Sequence, residues 1–461
     1  MAGKAGVWKQ ALTPSTMKKY WFQSLAITIF VFCMLWTAKR VTDFKLFTAF
    51  DTIGAALADF ELTDYAFSNL REDPLVDERF VLVNIGALDR RGIAQQIQII
   101  NSFNPRIIAF DGVFKCPAGL RDSVNCPALL DTLGNLMLEQ AIAEANVFVL
   151  GSKLLQTDSV AKFDSDYYDS IEYSDERFSR DAVYGFVSLP TNATYQEDVK
   201  LCRTVFPRWE VNGKEQLAFS VQTAMQYDSA KTKKFLARKK KEELINFRGN
   251  MEVMQLGLDT EKNDETNASK YPTMYFTVDY DQLLRGDVLP TLFEDKIVMM
   301  GYMGNYLGAP AWEDKFFTPL NKKVAGRANP DMFGLVLHAN VVSMILNEDY
   351  IDEIPEWSQY CIAFMVCLLT VFLFINMDRQ LPTWFDALSF VVQVVELLLI
   401  SSLIVLAFNL WSLKLELSVA LAATALVGPC YDIFKSLQNE YNKRFTKRPK
   451  AVLTPEATDP Q

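Results

Sequence analysis

Residues 79–111 read RFVLVNIGALDRRGIAQQIQIINSFNPRIIAFD, and this stretch decides the fold class. It opens on an almost continuous apolar run at 79–85, the pattern of a strand that is covered on both faces. Residues 93–103 follow with helical spacing, Pro105 marks their end, and 107–111 is the next apolar strand. A strand–helix–strand order predicts parallel pairing through a right-handed crossover.

The same alternation continues outward along the chain. A helical segment at 129–145 leads to a strand at 147–151. Later segments predict a strand before Asn212, a helix at 215–227, a basic helical run at 231–243, strands near Leu244 and Tyr275, a polar loop at 256–271, a strand at 296–301 and a last helix at 331–346. Residues 38–356 are therefore expected to form an α/β domain with a mostly parallel sheet.

Four apolar segments flank this domain, and each approaches the length that crosses a bilayer, about 20 helical residues. They lie at 20–37, 357–376, 385–408 and 410–431, one N-terminal and three C-terminal. Lys414 and Glu416 fall in the first turns of the fourth segment, where both can reach the headgroups. Four transmembrane helices are predicted, and a re-entrant hairpin formed by the last two segments is the alternative.

The distribution of charge predicts the orientation. Residues 1–19 hold four lysines and no acid, and the tail at 432–461 is also basic, so both ends are expected in the cytoplasm. The whole chain has a net charge of −10, which leaves the outer domain strongly acidic. This surface excludes nucleic acid as a partner of most of the chain, whereas the basic tail fits anionic membrane lipid.

The seven cysteines and the single histidine limit the chemistry of the chain. In an oxidising compartment Cys116 and Cys126 can form a disulfide, and the alternative is that they are reduced, buried thiols like Cys202. One histidine and no C-x-x-C pair argue against a metal site, and no cofactor motif is present. The chain also lacks G-x-S-x-G, H-E-x-x-H and phosphate-binding glycine loops, so we expect no enzymatic activity.

Residues 296–342 carry a more specific pattern. They contain KIVMMG at 296–301, EDKFFTP at 313–319 and GLVLHANVV at 334–342, leading into a helix and a membrane segment. This pattern resembles the closing half of the second type of CHASE domain, a bacterial extracellular sensor associated with cyclases and histidine kinases. The matching positions are Gly301, Asp314, Phe317, Thr318, Pro319, Gly334, His338, Ala339, Asn340 and, on an earlier strand, Phe110 and Asp111.

The resemblance implies a ligand-binding outer domain. Its candidate ligand-binding residues here are Asp111, Arg91, Asp314, Thr318, His338 and Asn340. The first loop departs from the family, which usually has an acidic residue and a Trp-Pro-rich turn before an arginine. This chain has only NIGALDRRG there, so Arg91 is the expected counterpart.

Three of the candidate residues have a plain structural alternative. His338 can hold a loop by hydrogen bonds instead of contacting a ligand, and Asp111 can cap a turn. Glu396 lies inside the third membrane segment, where a carboxylate is costly. It is expected to form an interhelical hydrogen bond, to contact a partner's span or to lie on a proton path.

The family normally couples its outer domain to a cytoplasmic effector such as a kinase or cyclase. About thirty residues follow Tyr431, too few for such a domain. The sequence therefore predicts a sensor in the bacterial inner membrane that passes its signal to a separate effector protein. A second copy of the chain is a further candidate partner. The alternative is a non-enzymatic structural or regulatory subunit of an envelope complex.

Overall fold

The structure is a computed structural model and describes residues 14–42, 61–72, 74–116, 126–157, 167–191, 200–251, 273–309, 312–321 and 329–445. The chain divides into two compact units. One is Ile53–Asp352, and the other combines Met1–Thr52 with Glu353–Gln461. The predicted loop at 256–271 lies outside the described residues.

An eight-stranded sheet forms the centre of the larger unit. Its strands are β1 (Phe80–Asn84), β2 (Ile107–Phe110), β3 (Phe148–Leu155), β4 (Ser170–Glu172), β5 (Val183–Phe186), β10 (Asn250–Met251), β11 (Thr273–Val278) and β12 (Ile297–Gly301). The order is β10-β11-β1-β12-β2-β3, with β4 and β5 both paired to β3. Every pair is parallel except β3–β4, which confirms the predicted α/β class with a mostly parallel sheet.

Short strands and helices complete this unit. The strands pair as hairpins or two-residue ladders: β6 (Thr204–Val205) with β9 (Glu243–Leu244), β7 (Arg208–Val211) with β8 (Lys214–Leu217), and β13 (Lys315–Phe316) with β14 (Met332–Phe333). The helices are α2 (Leu62–Tyr65), α3 (Arg90–Ser102), α4 (Thr132–Ala143), α5 (Glu176–Ser179), α6 (Phe219–Tyr227), α7 (Ser229–Leu236), α8 (Tyr280–Arg285) and α9 (Gly334–Asn347).

Helices cover both faces of the sheet. On one face α3 and α4 bury Ile97 and Leu138 against alternate residues of the strands, such as Val81 and Ile108. On the other face α6 packs on β2, β3 and β5, and α9 packs on β1 and β12. Gly185 allows this close approach, because a Cβ there would lie 2.5 Å from the Cα of Phe219. The continuous apolar strands predicted from the sequence are explained by burial on both faces.

Two predicted helices are wrong in their bounds. Residues 214–217 belong to β8, because Asn212 and Gly213 both have positive φ (53° and 71°) and turn β7 back into a hairpin. The helix predicted at 215–227 therefore begins at Phe219. The basic run predicted at 231–243 leaves its helix after Leu236.

The described residues of the second unit form four long helices: α1 (Pro14–Thr42), α10 (Glu356–Gln380), α11 (Phe385–Trp411) and α12 (Ser418–Phe445). Three stretches are long and apolar enough to cross a membrane, namely Tyr20–Ala38, Glu356–Gln380 and Phe385–Trp411. The fourth helix begins at Ser418 and not at 410, so Lys414 and Glu416 precede it instead of lying in its first turns. Its apolar part ends near Asp432, about 20 Å from its start, and the fourth span stays a prediction.

Candidate functional site

Two neighbouring strands in the middle of the sheet, β12 and β2, end side by side at Gly301 and Asp111. The backbone N–H of Asp111 donates to the carbonyl of Met300 at 2.8 Å. A Cβ on Gly301 would lie 3.2 Å from the Cβ of Asp111, so a larger residue there would crowd the carboxyl group. In open α/β sheets, ligands bind in the crevice outside these carboxyl ends.

A second carboxyl group reaches the same crevice from the loop before β13. Asp314 has a φ of 55°, a conformation that aspartate tolerates better than most residues. Its carbonyl accepts from the N–H of Gly334 at 3.0 Å, and a Cβ on Gly334 would lie 3.1 Å from its Oδ2. The carboxyl group of Asp314 therefore lies at the N-terminus of α9, where the helix dipole favours negative charge.

The two carboxyl groups, here called the Asp111–Asp314 pair, have raised pKa values. Burial raises the pKa of Asp111 to about 8, and the neighbouring Asp314 adds to the increase. Burial raises the pKa of Asp314 to about 6, while Lys200 opposes the increase. At neutral pH Asp111 is mainly protonated and Asp314 mainly ionised, so the crevice both donates and accepts hydrogen bonds. A cationic group would be attracted because it relieves the repulsion within the pair.

The loop that follows Asp111 is fastened near the crevice. Cys116 and Cys126 are joined by a disulfide with their Cα atoms 5.5 Å apart, and residues 117–125 between them are outside the described part. The N–H of Phe114 donates to Ser174 Oγ at 2.9 Å. These links hold the chain beside Asp111 in one conformation.

His338 lies in the core and is not grouped with the Asp111–Asp314 pair. Its ring packs edge-on against Phe219 at 5.2 Å between centroids, and it is hydrogen-bonded to the backbone of Val187. Complete burial lowers its pKa to about 4, so the imidazole is neutral. Its Nδ1 has no hydrogen-bond partner among the described residues. The structural alternative for this residue fits the geometry better than ligand contact.

Thr318 is hydrogen-bonded to Asp331 and not directed at a ligand site. Its N–H and its hydroxyl both donate to the carboxylate of Asp331, the N–H at 2.9 Å, and Asn321 adds a third donor to this carboxylate. Burial raises the pKa of Asp331 to about 7 although these donors lower it. These hydrogen bonds hold Thr318 and Asn321, which follow β13, against Asp331, which precedes β14, and this is a structural role.

Asn340 is buried in α9 and fixes a chain segment. Its Oδ1 accepts from the N–H of Arg248 at 3.1 Å, and its Nδ2 donates to the carbonyls of Gly249 and Val336 at 3.0 Å. An asparagine satisfies a donor and an acceptor of the backbone at once. Its contacts are thus with the segment that leads into β10.

Arg91 is exposed, and its side chain pairs with Asp131, not with Asp111 or Asp314. Its guanidinium binds the carboxylate of Asp131 at 2.5–2.8 Å, and Asp131 caps α4 by accepting from Gly134 N. The pair ties the start of α3 to the start of α4. Of the six predicted ligand-binding residues, the structure brings together Asp111 and Asp314.

A comparison with models of known protein families matches residues 54–374 to the CHASE2 domain, well over half of the chain. The chain belongs to the CHASE2 family. Searches of curated proteins and of solved structures found no match. CHASE2 is a sensor domain family, and the three candidate membrane helices fit a membrane protein with a large extracytoplasmic domain.

The sequence did not single out the buried network beside the CHASE2 crevice. Asn84 ends β1, and its Oδ1 accepts from the N–H groups of Gly86 and Met303 at 3.0 and 2.9 Å. Its Nδ2 donates to Asp279 Oδ1 at 2.8 Å, and Asp279 Oδ2 accepts from Leu307 N–H at 2.9 Å. This network anchors the loop that follows Gly301. In the sequence, this network could have been noticed only from Asn84, a polar residue at the end of an apolar strand.

The membrane unit of this CHASE2 protein also holds its predicted polar residue. Glu396 lies in α11 and contacts Thr370 of α10, with both carboxyl oxygens 3.0 Å from the threonine Oγ1. The amide of Gln393, one turn earlier, donates to the carbonyl of Thr424 in α12 at 2.8 Å. Polar side chains of α11 therefore face both neighbouring helices.

Proposed function

We propose that this CHASE2 protein is a non-enzymatic membrane sensor whose extracytoplasmic domain binds a ligand at the Asp111–Asp314 pair. One observation carries the proposal: two carboxyl groups with raised pKa values meet at the N-terminus of α9. The chain leaves α9 at Asn347 and enters α10, a candidate membrane helix, at Glu356. The helix that starts at the crevice is thus followed, eight residues later, by a membrane helix.

The charge of the crevice supports a ligand with a positively charged amine. Such a group ionises both carboxyl groups and pairs with them, whereas an anion adds repulsion. Ionising the pair also changes the charge at the start of α9, where the helix dipole responds to it. A ligand that favours one charge state shifts the population of any conformation linked to it.

The second part of the proposal concerns how the ligand-bound state of the outer domain is passed to another protein. We place the protein in the bacterial inner membrane with both termini in the cytoplasm, and the state of its membrane helices is read by a separate effector protein. The four cations of residues 1–19 and the basic tail support this orientation. Homo-oligomerisation and contact of the tail with anionic lipid belong to the same proposal.

Thermal unfolding of the full chain in lipid nanodiscs tests ligand binding. Spermidine and ethanolamine are the cationic probes, and succinate is the anionic control. A probe at a hundred times its Kd stabilises by about 2.7 kcal/mol, which is several degrees in Tm. We expect a rise with an amine at pH 7 and no rise with succinate. Asp111→Asn should abolish the rise, while Asp131→Asn, at the Arg91 ion pair, should keep it.

No shift with either amine, or the same shift in Asp111→Asn, would contradict the binding proposal. The effector is tested separately by purification from native membranes in mild detergent. Co-elution of a kinase, cyclase or comparable signalling protein supports the relay. Co-elution of a large envelope assembly would instead favour the structural or regulatory subunit.

A further inference from the structure

The carboxyl group of Glu396 occupies an unusual place. It lies near the middle of α11, a 27-residue candidate membrane helix. Val395, Leu398 and Leu399 on the same helix are exposed apolar residues, whereas Glu396 turns toward α10. An ionised carboxylate in the bilayer interior costs roughly 2.5–3.5 kcal/mol on insertion scales.

The hydroxyl group of Thr370 lies within hydrogen-bond distance of three oxygen atoms, but it has only one proton to donate. Thr370 Oγ1 lies 3.0 Å from the carbonyl of Val366 and 3.0 Å from both oxygens of Glu396. A threonine hydroxyl has one proton and two lone pairs. If that proton goes to the carbonyl of Val366, the contact with Glu396 needs a proton on the carboxyl group. If it goes to Glu396, the carboxylate is ionised.

Both charge states are therefore satisfied by a rotation of one hydroxyl group. The carbonyl of Val366 already has the N–H of Thr370 within the helix, so it tolerates loss of the hydroxyl bond. When Glu396 is protonated, it donates to Thr370, and Thr370 donates to Val366. When Glu396 is ionised, Thr370 reverses and donates to the carboxylate. No backbone movement is needed.

Among the described residues, the structure shows no ion pair between Glu396 and a cation. The elements packed against α11 include α10, α12 and the short strand at Leu413–Lys414. From α10 the Cys367 thiol lies within electrostatic range of Glu396. The charged groups that the structure places beside α11 lie near its two ends: Asp378, Asp386, Asp432 and Lys435 near its start, and Lys414 with Glu416 near its end. These ends lie roughly 15–25 Å along α11 from Glu396.

An unsatisfied hydroxyl group occurs close to this site. Thr424 is fully buried in α12, and among the described residues its Oγ1 has no hydrogen-bond partner. Its carbonyl accepts from Gln393, which lies one helical turn from Glu396 on the same face of α11. Buried polar groups inside a membrane unit are costly and mark sites that bind polar species.

We propose that Glu396 and Thr370 form a proton-binding site within the membrane unit, with Glu396 as the group that takes up the proton. The site is independent of the ligand crevice in the outer domain. Its occupant is a proton because one carboxyl group and one hydroxyl group already satisfy each other in both charge states.

Labelling with dicyclohexylcarbodiimide, an apolar reagent that enters bilayers, tests this proposal on the full chain in phosphatidylcholine nanodiscs. The carboxyl proton moves to a nitrogen of the carbodiimide while the carboxyl oxygen bonds to its central carbon. The adduct then rearranges to a stable acylurea with no atom lost. The reaction needs a protonated carboxyl group, and peptide mass spectrometry locates the adduct.

We expect Glu396 to be labelled, and the labelled fraction to decline as the pH rises from mildly acidic to alkaline. Asp378, which is paired with Lys435 at 2.7 Å, is the internal control and should stay unlabelled. Glu396→Gln should lose the adduct and keep the Tm. Thr370→Val removes the hydroxyl group that, among the described residues, donates to the ionised carboxylate, so the decline should move to higher pH.

Three results would overturn the proposal. The first is no adduct on a detected Glu396 peptide at any pH, and the second is labelling that does not change with pH. The third is suppression of labelling by sodium ions at constant pH, which would make a metal cation the occupant. An unshifted decline in Thr370→Val would remove Thr370 from the site.

Discussion

Replacing Asp111 by asparagine should stabilise the outer domain, and the gain should grow with pH. Burial and Asp314 raise the pKa of Asp111 to about 8 from an ordinary value of 3.8. Between these values the folded state holds a proton that the unfolded state has lost, so stability falls as pH rises through this window. Asparagine has nearly the same shape as aspartic acid and does not titrate, so the variant should not show this loss of stability.

The size of the effect follows from the shift. Each pKa unit corresponds to about 1.4 kcal/mol, so the penalty grows by roughly 4 kcal/mol between pH 4 and pH 7. Asp111 keeps partial contact with solvent, and we therefore expect about half of this, near 2 kcal/mol. For a domain of this size that is a rise in Tm of about 4–8 °C at pH 7 and little change at pH 4.

Thermal unfolding of both proteins in nanodiscs at several pH values measures this difference. Asp131→Asn is the control of opposite sign: Arg91 and the N–H of Gly134 lower the pKa of Asp131, so its loss should lower the Tm at neutral pH. Asp314→Asn should shrink the advantage of Asp111→Asn, because the repulsion within the pair is gone. An asparagine variant less stable than wild type at every pH would refute the reasoning and make Asp111 a structural cap.

Three further predictions concern the same domain. Buried His338 has its pKa lowered to about 4, so the wild type should lose up to about 3 kcal/mol as pH falls from 6.5 to 4, and His338→Phe should show a flatter dependence of the denaturation midpoint. Arg203→Leu should destabilise by about 3–5 kcal/mol in chemical denaturation, because Asp64 would keep a buried charge without its partner at 2.5 Å. Replacing Cys116 and Cys126 together by serine should cost about 2–3 kcal/mol, and equal stability of wild type under reducing and oxidising conditions would contradict this.

The raised pKa values of the Asp111–Asp314 pair support the proposed ligand site. A carboxyl group that weakens the fold at neutral pH is a poor structural choice, since asparagine would fill the same space. Functional sites keep such groups because the strain is released when the ligand binds. Asp331 differs from this pair. Its pKa is also raised, but its carboxyl group accepts two hydrogen bonds from Thr318 and one from Asn321, which give it a structural role.

The sequence by itself determined the class of the fold. Continuous apolar runs at 79–85 and 296–301 can be satisfied only by strands buried on both faces, and the helical spacing between them required parallel crossovers. Local composition likewise sufficed for the membrane helices, because length and hydropathy alone decide whether a segment can cross. The pattern at 296–342, together with Phe110 and Asp111, sufficed to predict the family.

Other features depended on contacts between residues far apart in the chain. The insertion of β12 between β1 and β2 placed Gly301 beside Asp111, and the N-terminus of α9 brought Asp314 to them. The same packing turned His338 into the core. Short-range patterns carry no information on such neighbours, because a side chain's burial and charge are set by what the sheet order places next to it. The tertiary structure therefore brings Asp111 and Asp314 together, whereas the fold class follows from the order of apolar residues along the chain.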